Sequence, residues 1–302
     1  DAAVAELSER LMTLTGWQVV AVPGRYKPNS TNTIISTTGT VSGTFGSVTS
    51  DYAFLKPTLT YDQQNVYLSL VYTGADFLAY AQTPNQANVA VPAQALGAGN
   101  PVYDAIFTLP DGSVANAFDQ LTGEVYASAS TVIQQESIYL RDAVGARLRQ
   151  SVTDGSGALA QAARTAGSAN TLLSQDLTPT LWVQGTGGWG NSFGNGNAAT
   201  ISSSVGGFFA GLDVAIADNA RAGIVAGFSR TQFDVDARSS NGSMDNYDIG
   251  FYLGAQYGPI GLRGGVSYAW HDVNVGRTVA FPGFSETNDA DYTVGTAQVF
   301  GE

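Results

Sequence analysis

His271 is the only histidine of this chain, and the chain contains no cysteine. Nucleophilic hydrolysis needs a nucleophile, a base and an orienting acid that converge. The acid next to His271 is Asp272, but adjacent residues of a strand point to opposite faces, so the two do not form a base and its acid. A polar residue on the inner face of a strand is the reading His271 supports. Zinc needs three or four histidine, cysteine or carboxylate ligands, and the sequence offers no such cluster. The run Gly185-Thr186-Gly187-Gly188-Trp189-Gly190 has the glycine content of a phosphate loop, without the Lys-Ser/Thr ending or the helix that follows one. Close approach by a helix or a neighbouring strand accounts better for these glycines. The expected catalytic, cofactor-binding and metal-binding sets are all empty, so neither an enzyme nor a cofactor is expected.

Composition narrows the class further. A net charge of −12 with only 13 Lys and Arg argues against a nucleic-acid partner, because neutralising phosphates needs a basic face. Only 13% of the 302 residues are charged while 36 are Gly, an unusual balance for a soluble enzyme. No stretch approaches the apolar length of a membrane helix. A mean hydropathy of +0.00 still permits membrane strands, because half of each barrel strand faces water. The absence of cysteine suits passage through an oxidising periplasm without premature disulfides. Asp1 lacks the basic and apolar regions of a secretory signal, and the chain is expected to begin inside a longer protein.

The elements are best read from the C-terminal part. Tyr247, Ile249, Phe251, Leu253, Ala255 and Tyr257 alternate with Gly and polar residues, the period of a strand between two different solvents. Six such segments are expected, at Leu181 to Ser192, Ser203 to Ala217, Arg221 to Val235, Met244 to Tyr257, Ile260 to Val275 and Ala290 to Glu302. Tight turns at 218–219 and 258–259 alternate with longer polar connections at 193–202, 236–243 and 276–289. Short turns on one side and long loops on the other are how outer-membrane barrels are built. The apolar parity places Phe208, Leu212, Leu262 and Val266 toward lipid. The other parity places Asp213, Asp248, Gln256, Arg263 and His271 toward a polar lumen.

Residues 1–14 have the spacing of a short amphipathic helix, through Val4, Leu7, Leu11 and Leu14. Short strands follow at Gln18 to Val22, Thr33 to Thr37, Gly39 to Val48, Phe54 to Thr60 and Asn65 to Val71, as in the last rungs of a β-helix or in a small sandwich. Helices are expected from Thr83-Pro84, over Val114 to Gln120, and from about Glu124 to Gln150. The last carries Ile133, Leu140, Val144 and Leu148 on one face, with Arg141, Arg147 and Arg149 near its C-terminal end. At 1.5 Å per residue it would reach ~40 Å, comparable to a bilayer with its headgroups. Residues 151–176, rich in Ala, Gly, Ser and Thr, read as a linker.

Several of these segments resemble one family in the same order. Phe45-Gly46-Ser47-Val48, Phe54-Leu55-Lys56-Pro57-Thr58-Leu59-Thr60-Tyr61 and Asn65-Val66-Tyr67-Leu68 resemble the passenger end of type V autotransporters. Ala81-Gln82-Thr83-Pro84-Asn85-Gln86, Ala95-Leu96-Gly97-Ala98-Gly99-Asn100-Pro101, Leu121-Thr122-Gly123-Glu124 and Leu140-Arg141-Asp142-Ala143-Val144 resemble the helical stretch that follows it. Trp182-Val183-Gln184-Gly185, Trp270-His271-Asp272 and Thr296-Ala297-Gln298-Val299-Phe300-Gly301-Glu302 are similar to strands of the family's barrel. The resemblance implies a mainly β protein: a β-helix-like, autochaperone-like passenger end over 1–74, a helical linker or pore-helix region over 75–176, and an antiparallel outer-membrane β-barrel from 177 to 302. It implies a Gram-negative outer membrane with residues 1–74 at the cell surface, and partners that are outer-membrane lipid, the barrel assembly machinery, periplasmic chaperones and the chain's own passenger. The family's barrel has twelve strands, whereas this sequence supplies about six, so the polypeptide is expected to continue past Glu302.

The implied function is outer-membrane anchoring and secretion of the chain's own passenger. A surface adhesin or structural β-helix with no transport role is the alternative, and enzymatic activity would depend on a passenger upstream of Asp1. Arg141, Arg147 and Arg149 become pore-helix residues facing lumen carboxylates such as Asp213, although residues 151–176 compete for that place. Some autotransporters release the passenger by attack of an Asn side chain on its own backbone. Asn116 and Asn170 are the candidates here, and neither lies in a paired Asn motif, so solvated or capping roles are expected.

Overall fold

The computed structural model describes residues 5–7, 12–13, 18–21, 30–153 and 179–302. The chain divides into two compact units, residues 1–122 with 278–286, and residues 123–277 with 287–302. The linker expected over 151–176 lies, from residue 154 on, outside the described residues, as does Asn170.

The first unit opens with six short strands: β1 (Ala5–Leu7), β2 (Met12–Thr13), β3 (Gln18–Ala21), β4 (Thr31–Thr37), β5 (Val41–Ser42) and β6 (Ser47–Ser50). They pair in parallel, with Ala5 opposite Ile35, Met12 opposite Val41 and Gln18 opposite Ser47. Each partner lies 29 or 30 positions further along, so three consecutive short strands repeat as the coils of a β-helix. The helix expected over 1–14 is corrected by this pairing. A helix that short has a costly nucleus, whereas a ladder on the next coil satisfies the same backbone groups. The run expected over Gly39 to Val48 is likewise split into β5 and β6, on either side of Gly43 with φ 84°.

A hairpin then closes the stack. Strands β7 (Leu55–Tyr61) and β8 (Asn65–Tyr72) are antiparallel, and β8 is also antiparallel to β4, giving the order β1-β4-β8-β7. The hairpin turn is built on Asp62, whose carboxylate accepts from the Gln64 amide at 2.7 Å and the Tyr67 hydroxyl at 2.7 Å. The Tyr67 hydroxyl, then the Asn65 side chain, hold this exposed carboxyl down at about 2. Helices α1 (Pro84–Ala95), α2 (Pro101–Phe107) and α3 (Val114–Leu121) follow. Thr83 caps α1 by accepting from the Gln86 amide at 3.2 Å, and Pro84 sits where its missing N–H costs nothing. Helix α2 has no counterpart among the expected elements, although its Asn100 cap and Pro101 repeat the same device in miniature.

The core of this unit gathers Phe54, Leu70, Phe77, Ile106, Leu109 and Phe118, all fully buried. Backbone bonds tie its parts together: the Ala53 amide donates to Leu109 O at 3.0 Å, and the Asp111 amide to Asp51 O at 2.7 Å. Val279 and Phe281 are buried in the same core.

The second unit is built from a long helix, α4 (Glu124–Thr153), and six long strands: β9 (Thr180–Ser192), β10 (Ile201–Ala217), β11 (Ala220–Val235), β12 (Ser240–Tyr257), β13 (Ile260–Phe281) and β14 (Phe284–Gly301), the last two without residues 278–286, which belong to the first unit. They form one antiparallel sheet in sequence order, β14-β13-β12-β11-β10-β9. Among the described residues no ladder joins β9 to β14. The connections at 218–219, 258–259 and 193–200 fall where expected. The polar connections at 236–243 and 276–289 do not. The first shrinks to a 3-10 turn at Asp236–Arg238 with Ser239 in the left-handed region. The second is strand up to the tight turn at Pro282 and Gly283 (φ 87°), because Val275, Val279 and Phe281 keep the apolar alternation running into buried positions.

The outer face of this sheet is apolar and exposed. Leu181, Leu212, Ile224, Phe251 and Val266 stand opposite one another in turn, a continuous row across five strands. A second row, Phe208, Phe228, Tyr247 and Trp270, is entirely aromatic. Tyr257 marks the opposite end, at the tight turns. From Tyr247 to Tyr257 the strand covers ~33 Å, or ~25 Å of height at a tilt near 40°, which matches the apolar band of an outer-membrane sheet flanked by aromatic girdles. Among the described residues no helix is long and apolar enough to cross a membrane.

Candidate functional site

The inner face of the sheet carries α4. One stripe of that helix, Val125, Ala129, Val132, Ile133, Glu136, Leu140, Ala143, Val144 and Leu148, is buried at the three- and four-residue spacing that keeps side chains on one face. Val125, Ala129, Val132 and Ile133 pack with Ile201, Phe233, Met244 and Val273. Leu140, Ala143, Val144 and Leu148 pack with Trp182, Phe209, Val225 and Tyr252. Two glycines permit the approach. A Cβ at Gly188 would lie 2.7 Å from the Tyr139 hydroxyl, and one at Gly254 would lie 2.8 Å from a Leu148 methyl.

Charges are set into this interface at three levels. Near the tight turns, Asp213 on β10 is almost completely buried and accepts from Arg147 Nε at 2.7 Å and Nη2 at 3.0 Å, from Arg221 Nε at 2.7 Å and from the Tyr252 hydroxyl at 2.9 Å. Trp182 Nε1 donates to Tyr252 Oη at 2.7 Å, so both carboxylate oxygens and the hydroxyl are fully engaged. A buried carboxylate is tolerated only when paired and hydrogen-bonded in this way.

Midway along α4, Glu136 accepts from the Thr231 hydroxyl at 2.7 Å and, at 3.4 Å, from Ser229. Asn246 donates to both hydroxyls, and its Oδ1 lies 2.6 Å from His271 Nδ1. His271 Nε2 reaches Thr296 Oγ1 at 3.1 Å, which extends the network across β11, β12, β13 and β14. At the loop end, Glu124 accepts from Arg238 Nε at 2.9 Å and from the Ala199 amide.

The residues singled out from sequence fall as follows. Asp213 and His271 are buried on the inner face, and Asp248 shares that face. Gln256 lies at the tight-turn end, where its side chain donates to Gly258 O at 2.7 Å. Arg263 and Arg149 converge on Glu302, each at 2.9 Å. Arg147 is the helix arginine that meets Asp213, whereas Arg141 is exposed and lies 3.9 Å from Asp142. His271 bonds the side-chain amide oxygen of Asn246 and the hydroxyl of Thr296. Glu136, Asn246, Tyr252, Arg221 and Glu124 were not picked out from the sequence. Glu136 could have been found, because a carboxylate between Ile133 and Leu140 interrupts an otherwise apolar stripe. Asn116 lies within α3.

A lipid-facing sheet whose inner face is polar and holds a helix is the arrangement the family resemblance implies. Residues 181–302 match the family model described as the autotransporter β-domain. The chain carries a type V autotransporter β-domain. It is also similar to two curated proteins named extracellular serine protease from Serratia marcescens, at 30% and 27% identity over 312 residues. Each alignment takes in 89% of this chain, so the likeness extends well upstream of the β-domain. The chain spans 28% of the length of each of these relatives, and no solved structure matches it. The β-domain places this protein in the outer membrane of a Gram-negative bacterium. The face occupied by α4 is the one turned away from the exposed apolar face of this sheet.

Proposed function

We propose that this chain anchors itself in the outer membrane and exports its own N-terminal part through the space that α4 occupies. The observation that carries this reading is the bonding of Arg147, on the helix, to Asp213, buried on the lumen side of a sheet whose other face is apolar. A helix merely resting on the sheet would not require a desolvated carboxylate to be matched to it. In this reading the β-helix coils and the β7–β8 hairpin fold at the cell surface and oppose backsliding of the exported chain. Among the described residues nothing pairs with the outer edges of β9 and β14, and hydrocarbon cannot satisfy backbone groups left open there, so in this reading further strands pair with them in the membrane. Periplasmic chaperones and the barrel assembly machinery are the partners that would deliver and close such a sheet.

The chain's own part in this reading is transport rather than catalysis, in keeping with the bonding of His271 to Asn246 and Thr296. The name of the Serratia relatives, extracellular serine protease, suggests a secreted enzyme as the class of cargo. The test is made in Gram-negative cells producing the full-length protein, with external protease and membrane fractionation. Recovery of residues 181–302 in the outer membrane, with residues 39–72 cleavable from outside, is expected. Deleting 39–72 should leave membrane insertion intact and lower passenger display. Recovery of the protein as a soluble periplasmic species would overturn the proposal.

A further inference from the structure

The tight turn at Pro282 and Gly283 joins two membrane-sheet strands, yet residues 278–286 belong to the compact unit formed by residues 1–122. Val279 and Phe281 are buried in the core that holds Phe54, Phe77, Leu109 and Phe118, and Phe284 packs against it. The Phe281 and Phe284 rings stack at 5.3 Å. At the turn itself, Gly283 lies so close to α2 that a Cβ placed there would be 3.5 Å from the Ala105 Cβ. An isolated hairpin tip carrying Val279, Phe281 and Phe284 would expose an apolar patch to water, and the core of residues 52–122 would be left open where these side chains enter.

We infer that the β13–β14 hairpin is a folding template: its tip is the surface on which residues 52–122 of the same chain close their apolar core. The consequence is an order of assembly. The passenger-proximal segment completes its packing only after β13 and β14 are in place, which ties its final folding to formation of the translocator sheet. This inference stands on the shared core alone and does not need the autochaperone role of residues 39–72.

The test compares full-length wild type with Val279→Ser/Phe281→Ser and, as a control on the same hairpin, the exposed Glu286→Ser. Two quantities are read, the heat-modifiable β-domain in outer membranes and the rate at which external protease cleaves within residues 52–122. The double variant should be cleaved about tenfold faster or more while the β-domain yield stays at the wild-type level, because the loss of buried side chains raises the open population that protease samples. Glu286→Ser should behave as wild type. Equal cleavage rates for the double variant and wild type would overturn the inference. Should the double variant lower β-domain yield as well, Ala105→Cys/Gly283→Cys in the otherwise cysteine-free chain decides. A disulfide formed at the cell surface supports the template, and two free thiols after oxidation overturn it.

Discussion

Asp213→Asn isolates the contribution of one charge to the interface between α4 and the sheet. The substitution keeps the shape of the side chain but replaces one acceptor oxygen by an amide donor. Arg147 and Arg221 both donate to Oδ1, and Arg147 and Tyr252 both donate to Oδ2, so either orientation of the amide points N–H groups at N–H or O–H groups. Breaking a buried ion pair from one side costs ~3–5 kcal/mol. Arg147 and Arg221 keep 15% and 22% of their side chains exposed, so water relieves part of the loss and about 3 kcal/mol is expected, the lower end of that range. That corresponds to roughly a hundredfold in the folded-to-unfolded ratio. The assay is urea unfolding of the full-length protein in detergent, followed by the heat-modifiable electrophoretic band, for wild type, Asp213→Asn, Arg147→Gln and the double variant. The double variant should lose clearly less than the sum of the two single losses. Additivity within about 0.5 kcal/mol would mean that helix and sheet are not coupled here, and would refute the reasoning.

Leu253→Arg puts a cation on the apolar outer face and should cost ~2–4 kcal/mol near the bilayer midplane, seen as a lower heat-modifiable yield; an unchanged yield would remove Leu253 from the lipid face. Gly254→Val should destabilise by ~1–3 kcal/mol, because its Cβ would meet Leu148, and Leu148→Ala in the same chain should recover part of the loss in the same urea assay. The Asp62 carboxyl is depressed to about 2 by Tyr67 and Asn65 and the Gln64 amide, from an ordinary 3.8. Its stabilisation of the hairpin turn is therefore fully present above about pH 4 and lost as the pH falls toward 2. Protection of the Gln64 and Asn65 amides from hydrogen exchange should drop over that interval in wild type and show no such step in Asp62→Asn.

The six strands were legible because each has two solvents: Phe251 and Leu253 alternate with Tyr252 and Gly254, and a period of two survives any tertiary context. The helix over Glu124 to Gln150 was legible for the same reason at its own period. Where a segment touches no bulk apolar phase, the pattern weakened. Leu7, Leu11 and Leu14 have the spacing of a helix, but Ala5–Leu7 and Met12–Thr13, the described residues of this stretch, pair with residues 29 or 30 positions away, and single-sequence spacing does not register such a partner. Residues 276–289 read as a polar loop because Arg277, Glu286 and Asp289 flank a few apolar residues, of which Val279 and Phe281 become buried. In the interface with α4, parity placed Asp213 and His271 on the inner face. It could not show that Tyr252 would bond Asp213, because nothing in the sequence of β12 sets its register against β10.

The central claim is that the outer face of β12 meets lipid while α4 lies on the other side of the sheet. Single cysteines at Leu253, on the outer face, and at Arg141, exposed on the helix, can each carry a fluorophore in the full-length protein reconstituted with brominated lipid. The account predicts strong quenching of the probe at 253 and none at 141. Equal quenching at both positions would put α4 in contact with lipid and contradict the account.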